Sequence, residues 1–241
     1  MKKRLTEARE THQNQLLAAL PEADLERWRT QLEPVELSLG QVLCESGRSS
    51  EHVYFPTTAI VSLLYLTLEG DSTEIAVVGR DGVVGISHFM GGNATPSRSV
   101  VQSAGRAYRL RAQTLKDALG HAGPVLTLLL RYTQALMTQV AQTATCNRHH
   151  SIDQLLRRRL LLGLDRLPSQ ALVMTQELLA NLLGVRREGI TAAALKLQQA
   201  GVIRYSRGRI AVLDRSRLEQ GLGGPPSAAK NSGGRRLSVA L

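Results

Sequence analysis

The chain has 241 residues, 43% of them hydrophobic and 3% aromatic, with a formal net charge of +10. That length supports two modest domains with cores of their own. No apolar run approaches bilayer-spanning length, and Met1-Lys2-Lys3-Arg4 is not followed by the apolar stretch of a signal peptide, so a cytoplasmic protein is expected.

The positive charge is unevenly placed. Residues 1–123 carry 13 Lys+Arg against 14 Asp+Glu, whereas residues 124–241 carry 17 against 6, so all the excess lies in the second half. Polyanion binding predicts such asymmetry, and general solubility does not. Cys44 and Cys146 are too few and too far apart to hold an iron–sulfur cluster within one chain, and both are expected as buried free thiols.

In chain order, residues from about Thr6 to Leu39 read as a helical lead-in. Leu16, Leu17, Leu20, Leu25, Trp28 and Leu32 recur at helical intervals, Pro21 opens a second short helix, and Trp28 is expected in the core. From Gly40 to about Leu110 the texture turns β-rich. Val53-Tyr54-Phe55, Ile60 to Leu66, Ile75 to Val78, Val100-Val101 and Ala107 to Leu110 are strand candidates. Turn signals at Gly47, Glu69-Gly70-Asp71, Asp81-Gly82 and Gly91-Gly92-Asn93 separate them, as in an all-β sandwich or roll. Gly85-Ile86-Ser87-His88-Phe89 lacks the final glycine of a nucleophile elbow, and no catalytic set or metal-ligand spacing is evident; the chain is not expected to be an enzyme.

A long helix is expected from Pro124 to about Thr145. Val125, Leu129, Tyr132, Leu136 and Val140 alternate four- and three-residue steps, a seam that suits either a core or a two-fold dimer helix, with the dimer favoured. Asn147-Arg148-His149-His150 follows as a break or hinge. Ser151 can cap a further helix through Leu155, Leu156, Leu160 and Leu164, ended by Asp165-Arg166-Leu167-Pro168. Its Arg157-Arg158-Arg159 run suits a solvated face, an approach to phosphates, or pairing with acids of the first half.

The stretch from Thr175 to Val212 is the most informative. Thr175 is a good N-cap, and Leu178, Leu179, Leu182 and Leu183 recur at one-turn spacing until Gly184, where a left-handed turn costs glycine least. A second helical pattern places Ile190, Ala194 and Leu197 on one face and Arg186, Arg187, Glu188, Thr191 and Ala192 on the other. Tyr205-Ser206-Arg207-Gly208-Arg209 then forms a basic hairpin with Gly208 in the turn. Helix, glycine turn, helix and basic wing together point to a reader of the DNA major groove. Gly221 to Leu241, rich in Gly, Pro, Ser and basic residues, is expected to be a disordered basic tail.

Three segments resemble the Crp/Fnr family of bacterial transcription regulators, over about Leu16 to Glu219. They are Gly40-Gln41-Val42-Leu43 with Glu51-His52-Val53-Tyr54-Phe55-Pro56; Asn147-Arg148 with His150-Ser151; and Met174-Thr175-Gln176-Glu177-Leu178, Leu183 through Thr191 and Gly201-Val202-Ile203. The resemblance implies an α+β fold. An N-terminal cyclic-nucleotide-binding-like β-roll with its lead-in would span 1–123, and a dimerisation helix and hinge 124–150. A winged helix-turn-helix would span 151–220, with the tail at 221–241.

It implies DNA contacts from Thr175, Gln176, Arg186, Arg187, Glu188, Thr191, Ser206, Arg207 and Arg209, and effector contacts from Gly82, Gly85, Arg98 and Ser99. Arg187 and Glu188 match base-reading positions, and Thr175 a phosphate contact. Ala192 stands where the cyclic-AMP receptor protein has a third base-reading residue, an arginine, and Val83 stands where its ribose-binding glutamate would be. Cyclic AMP is therefore disfavoured, leaving another small anionic effector or none. The implied partners are a palindromic DNA duplex, a second copy of the chain and RNA polymerase, with no cofactor, metal or membrane. A competing reading makes the chain a cyclic-nucleotide-binding regulatory module that acts through protein contacts.

Overall fold

A computed structural model describes residues 12–68, 72–92, 94–120, 123–167 and 171–222. The lead-in before His12, the turn residues Glu69-Gly70-Asp71 and Asn93, Pro168, and the basic tail beyond Leu222 lie outside the described residues.

Helix α1 (Gln15–Ala18) begins at Asn14, whose side chain accepts from the Leu16 and Leu17 amides and donates to the carbonyls of Pro56 (2.8 Å) and Gly82 (2.9 Å). This fully buried side chain pins the lead-in to the roll. On α2 (Glu22–Arg29), Leu25 and Trp28 face inward, and the Trp28 ring lies 6.3 Å from that of Phe55, a packing role. The helical lead-in ends sooner than its periodicity suggests. Glu33–Leu37 is strand β1, paired antiparallel with β7 (Gly105–Arg111). Its Leu37 is buried, and Pro34 is tolerated because β1 is an edge strand.

The remaining strands are β2 (Val42–Cys44), β3 (His52–Pro56), β4 (Ile60–Leu66), β5 (Ser72–Val78) and β6 (Arg98–Ser103). They form two antiparallel sheets, ordered β1-β7-β3 and β2-β6-β4-β5, around a core that includes Val53, Phe55, Val61, Val78, Val101 and Leu110. A helix not legible from the sequence, α3 (Ala112–Leu119), follows β7 directly and buries Leu115.

Helix α4 (Pro124–His149) carries the 4-3 seam expected at a dimer interface, but the seam faces the roll. Val125, Leu129, Tyr132 and Leu136 are buried in the roll's core, Val140 packs against it, and the Tyr132 hydroxyl donates to the Val83 carbonyl at 2.9 Å. Periodicity marks a covered stripe without saying what covers it. The opposite face carries a second 4-3 pattern, Leu130, Gln134, Met137, Ala141 and Ala144, with Leu130 and Met137 exposed at 57% and 65%. The break is two extended residues, His150 (φ −92, ψ 146) and Ser151 (φ −69, ψ 161), since Asn147 to His149 remain helical.

Helix α5 (Ile152–Arg166) opens with a capping box between Ser151 and Gln154. After it come β8 (Ala171–Val173), α6 (Gln176–Leu183), α7 (Arg187–Gln199), β9 (Ile203–Ser206), β10 (Arg209–Val212) and α8 (Arg215–Gln220), with a small sheet ordered β8-β10-β9. Leu156, Leu160, Leu179, Ile190, Leu197 and Ile210 anchor a second core, which Ile60 and Val77 of the roll also join.

The joint between the halves is ionic as well as apolar. The Arg159 Nε lies 2.9 Å from a Glu74 carboxylate oxygen, and Arg159 also donates to Gln102; Ser62 donates to Glu74. Burial disfavours the charged form of Arg159, and Glu74 offsets this. Arg166 reaches Asp81 at 3.0 Å and Gln139 at 3.2 Å. Arg157 bonds Asp153 within its own helix at 2.9 Å. Of the three adjacent arginines, then, Arg158 and Arg159 are buried at the joint and Arg159 pairs with an acid of the first half.

Candidate nucleic-acid interface

Thr175 caps α6, its Oγ1 accepting from the Leu178 amide at 3.1 Å. The helix stops at Gly184, left-handed at φ 63, and the Val185 amide returns to the Ala180 carbonyl at 3.0 Å. Arg186 then precedes the first turn of α7. Ile190, Ala193, Ala194 and Leu197 bury one side of α7. A side chain at Gly189 would meet Ile152 at 2.6 Å, so glycine lets α7 lie close against α5. Arg186, Arg187, Glu188, Thr191 and Ala192 are left exposed on the other side.

The wing is a tight hairpin in which Arg207 and Gly208 both have positive φ, 50 and 75. That is the backbone of a type I′ turn, with arginine in a position that more often holds asparagine or glycine. Three bonds fix the wing to the segment before α6 and to α7. The Met174 amide donates to the Gly208 carbonyl (2.7 Å), the Tyr205 hydroxyl donates to the Met174 carbonyl (3.1 Å), and the Tyr205 amide donates to Gln198 Oε1 (2.9 Å). Burial pushes the Tyr205 phenol above its ordinary range, so it stays a neutral donor.

These elements converge. Thr175, Gln176, Glu177, Arg187, Tyr205, Ser206, Arg207 and Gly208 line one open recess of about 480 Å³ between the start of α6, the start of α7 and the wing. Thr191 is tied to two of the lining residues, its hydroxyl donating to Gln176 Oε1 at 2.8 Å and lying 3.0 Å from the Arg187 carbonyl. Arg209 is exposed on the returning strand. Among the described residues, Arg186, Arg187, Arg207 and Arg209 have no carboxylate within salt-bridge distance, whereas Arg159 and Arg166 of α5 are paired with acids of the roll. Exposed, unneutralised guanidinium groups beside two helix N-termini suit phosphate oxygens and the acceptor edge of guanine.

The expected effector residues sit in a different setting. Gly82 and Gly85 bracket Val83 and Val84, which are 1% and 2% exposed and belong to the roll's core. A side chain at Gly82 would run into the Tyr132 ring at 2.5 Å, and Gly85, at φ 103, starts a single 3₁₀ turn (Ile86–His88). Arg98 is engaged by Glu45 at 3.1 Å, while Ser99 is buried, sharing a sheet position with Leu63. Cys44 and Cys146 are free thiols, half-buried and buried respectively. Among the described residues no group of three or more His, Cys, Asp or Glu could hold a metal ion, and no helix is long and apolar enough to cross a membrane.

Two family models match the chain. Residues 34–121 match the cyclic nucleotide-binding domain and residues 155–220 the Crp-like helix-turn-helix domain, together more than half of the sequence. Solved structures share the architecture. FixK2 from Bradyrhizobium japonicum superposes with a TM-score of 0.69 at 17% identity, covering 80% of this chain and 98% of that one. A putative transcriptional regulator of the Crp/Fnr family from Eubacterium rectale gives 0.67 at 20% identity, covering 86% and 97%. TTHB099, a transcriptional regulator of the CRP family from Thermus thermophilus, gives 0.64 at 18% identity, covering 79% and 97%. At these identities the likeness is one of fold. No curated protein matches the sequence.

Proposed function

This chain belongs to the Crp/Fnr family of transcription regulators and carries its helix-turn-helix DNA-binding domain, and on that premise we propose that it reads a palindromic duplex as a homodimer. In this reading α7 enters the major groove. Arg187 holds guanine O6 and N7, Glu188 accepts from cytosine N4, and Arg186 supports them at the helix start. Thr175, Gln176, Ser206, Arg207 and Arg209 hold the flanking phosphates, and Thr191 completes the reading face. The observation that carries this is the shared recess, where Arg187 of α7 and Arg207 of the wing stand with no carboxylate partner.

The outward 4-3 face of α4, centred on Leu130 and Met137, supplies the dimer seam. Two-fold pairing along it would set the two α7 helices to read half-sites about 34 Å apart, one turn of DNA. The sensor responds to a small anion other than cyclic AMP or has become structural. Support for this comes from the buried Val83 in place of a ribose-binding carboxylate, and from the Tyr132 ring packed on Gly82. The chain works in the cytoplasm, touching RNA polymerase at its promoters, and performs no catalysis.

Selection from a random duplex pool tests the reading. The expected product is a palindrome whose half-site centres lie one turn apart, bound less tightly as salt rises. Failure to enrich any duplex over competitor at moderate salt would overturn it.

A further inference from the structure

The reading face of α7 does not end with its charged residues. Taking Glu188 as reference at 100° per residue, Leu195 lies two turns further on and only about 20° away around the helix. It is 53% exposed, although Ile190, Ala194 and Leu197 beside it in sequence are sealed in the core. Ala192 is exposed between Glu188 and Leu195, and Thr191 flanks it. The one hydroxyl proton of Thr191 is already committed inside the protein, with Gln176 Oε1 at 2.8 Å and the Arg187 carbonyl at 3.0 Å as its acceptors, so Thr191 has no proton to donate to a base and can offer its methyl. The middle of the groove-facing surface beyond Glu188 is therefore a strip of hydrocarbon.

We propose that Thr191, Ala192 and Leu195 read thymine C5-methyl groups, so that the half-site holds a G·C pair under Arg187 and Glu188 followed by one or more thymines toward the C-terminal end of α7. The inference rests on the DNA-reading assignment above and adds to it the chemistry of the bases next to the guanine. The major groove is where thymine differs from cytosine by a methyl, and apolar side chains are the groups that detect it. Seven residues of helix advance about 10 Å, some three base-pair steps of roughly 3.4 Å, so Leu195 reaches bases distinct from those under Glu188. A second arginine at residue 192 would have demanded another guanine, and alanine removes that demand. An exposed leucine on a monomer surface needs no partner of its own; its place at the centre of a surface whose other members are DNA contacts gives this one a role.

Deoxyuracil lacks only the methyl of thymine, so it tests the idea without altering the protein. Starting from a selected duplex, each half-site thymine is replaced in turn and the dissociation constant measured. Wild-type protein is expected to lose about four-fold in affinity for each contacted methyl, the transfer value of one buried carbon. For Leu195→Ala the uracil penalty at one position should shrink toward zero, while the guanine preference set by Arg187 stays. The substitution removes an exposed side chain and leaves the core as it is.

Thymines that all tolerate uracil would overturn this inference and leave the DNA-reading assignment standing. So would a penalty that persists unchanged in both Leu195→Ala and Ala192→Gly. A selection that enriches no duplex would overturn the DNA-reading assignment, and this inference with it.

Discussion

Arg159 and Glu74, 85 residues apart in sequence, meet at 2.9 Å across the joint between the DNA-binding half and the β-roll, with side-chain exposures of 2% and 6%. An ion pair that dry is costly to break from one side, because the surviving charge stays buried. Glu74→Gln or Arg159→Met alone should therefore lower stability by about 3–5 kcal/mol. Glu74→Leu combined with Arg159→Met should recover much of that loss in the same denaturation series, because it leaves no orphaned charge. If either single change proves neutral, the halves do not hold this pair together in solution.

Arg187→Ala should cost about 1–3 kcal/mol at one base pair and relax the preference there, leaving the remaining positions of the selected motif unchanged. Binding-site selection with the variant checks it. An unaltered motif would remove Arg187 from the reading role.

The wing makes a different prediction. Because Arg207 holds φ 50, glycine there eases the backbone, and Arg207→Gly deletes a charge without loosening the turn. It should weaken binding to all duplexes alike and reduce the slope of log affinity against log salt by about one for each phosphate that Arg207 neutralises. A change confined to particular sequences would instead place this arginine on a base edge.

The two faces of α4 should respond in opposite ways. Met137→Glu, on the exposed face, should leave the fold and its melting intact but shift the protein to monomers in sedimentation velocity. Leu136→Glu, in the roll's core, should destabilise the monomer itself. Dimers that survive Met137→Glu would place the interface elsewhere.

His88 adds a pH dependence. Burial, with a smaller push from Lys116, holds its pKa below the ordinary 6.5. The unfolded chain therefore takes up the proton first. Stability should be complete above about pH 6.5 and should fall as the pH drops below it, until the folded form protonates too. His88→Gln should flatten that decline in urea midpoints measured between pH 7.5 and 5. His150 is lowered by the same cause and leaves a residual slope of the same sign.

The DNA-binding half is largely legible in the sequence because its signals are local. The Thr175 cap, the left-handed Gly184 and the Gly208 turn each act within a few residues of themselves. The strand at Glu33–Leu37 is not, since its partner β7 lies some seventy residues on and its pattern is too short to outweigh the helical one before it. The α4 seam is plain in the sequence but its partner is not, because a stripe of apolar residues looks the same against a roll as against a second helix. The exposed pattern beside it, Leu130 to Ala144, is weaker, being diluted with glutamine and alanine. Nothing near Arg159 announces its burial; that depends on where Glu74 is carried by the folding of the sheet.

Ile60 and Val77 belong by sequence to the roll, yet they are part of the hydrophobic core of the other half. Cutting the chain at His150 would not yield two self-sufficient pieces. The β-roll fragment would present a raw greasy patch to water and the other fragment a cavity to match, so each alone should be adhesive and poorly behaved. The protein is modular in its sequence but, in its material, a single object.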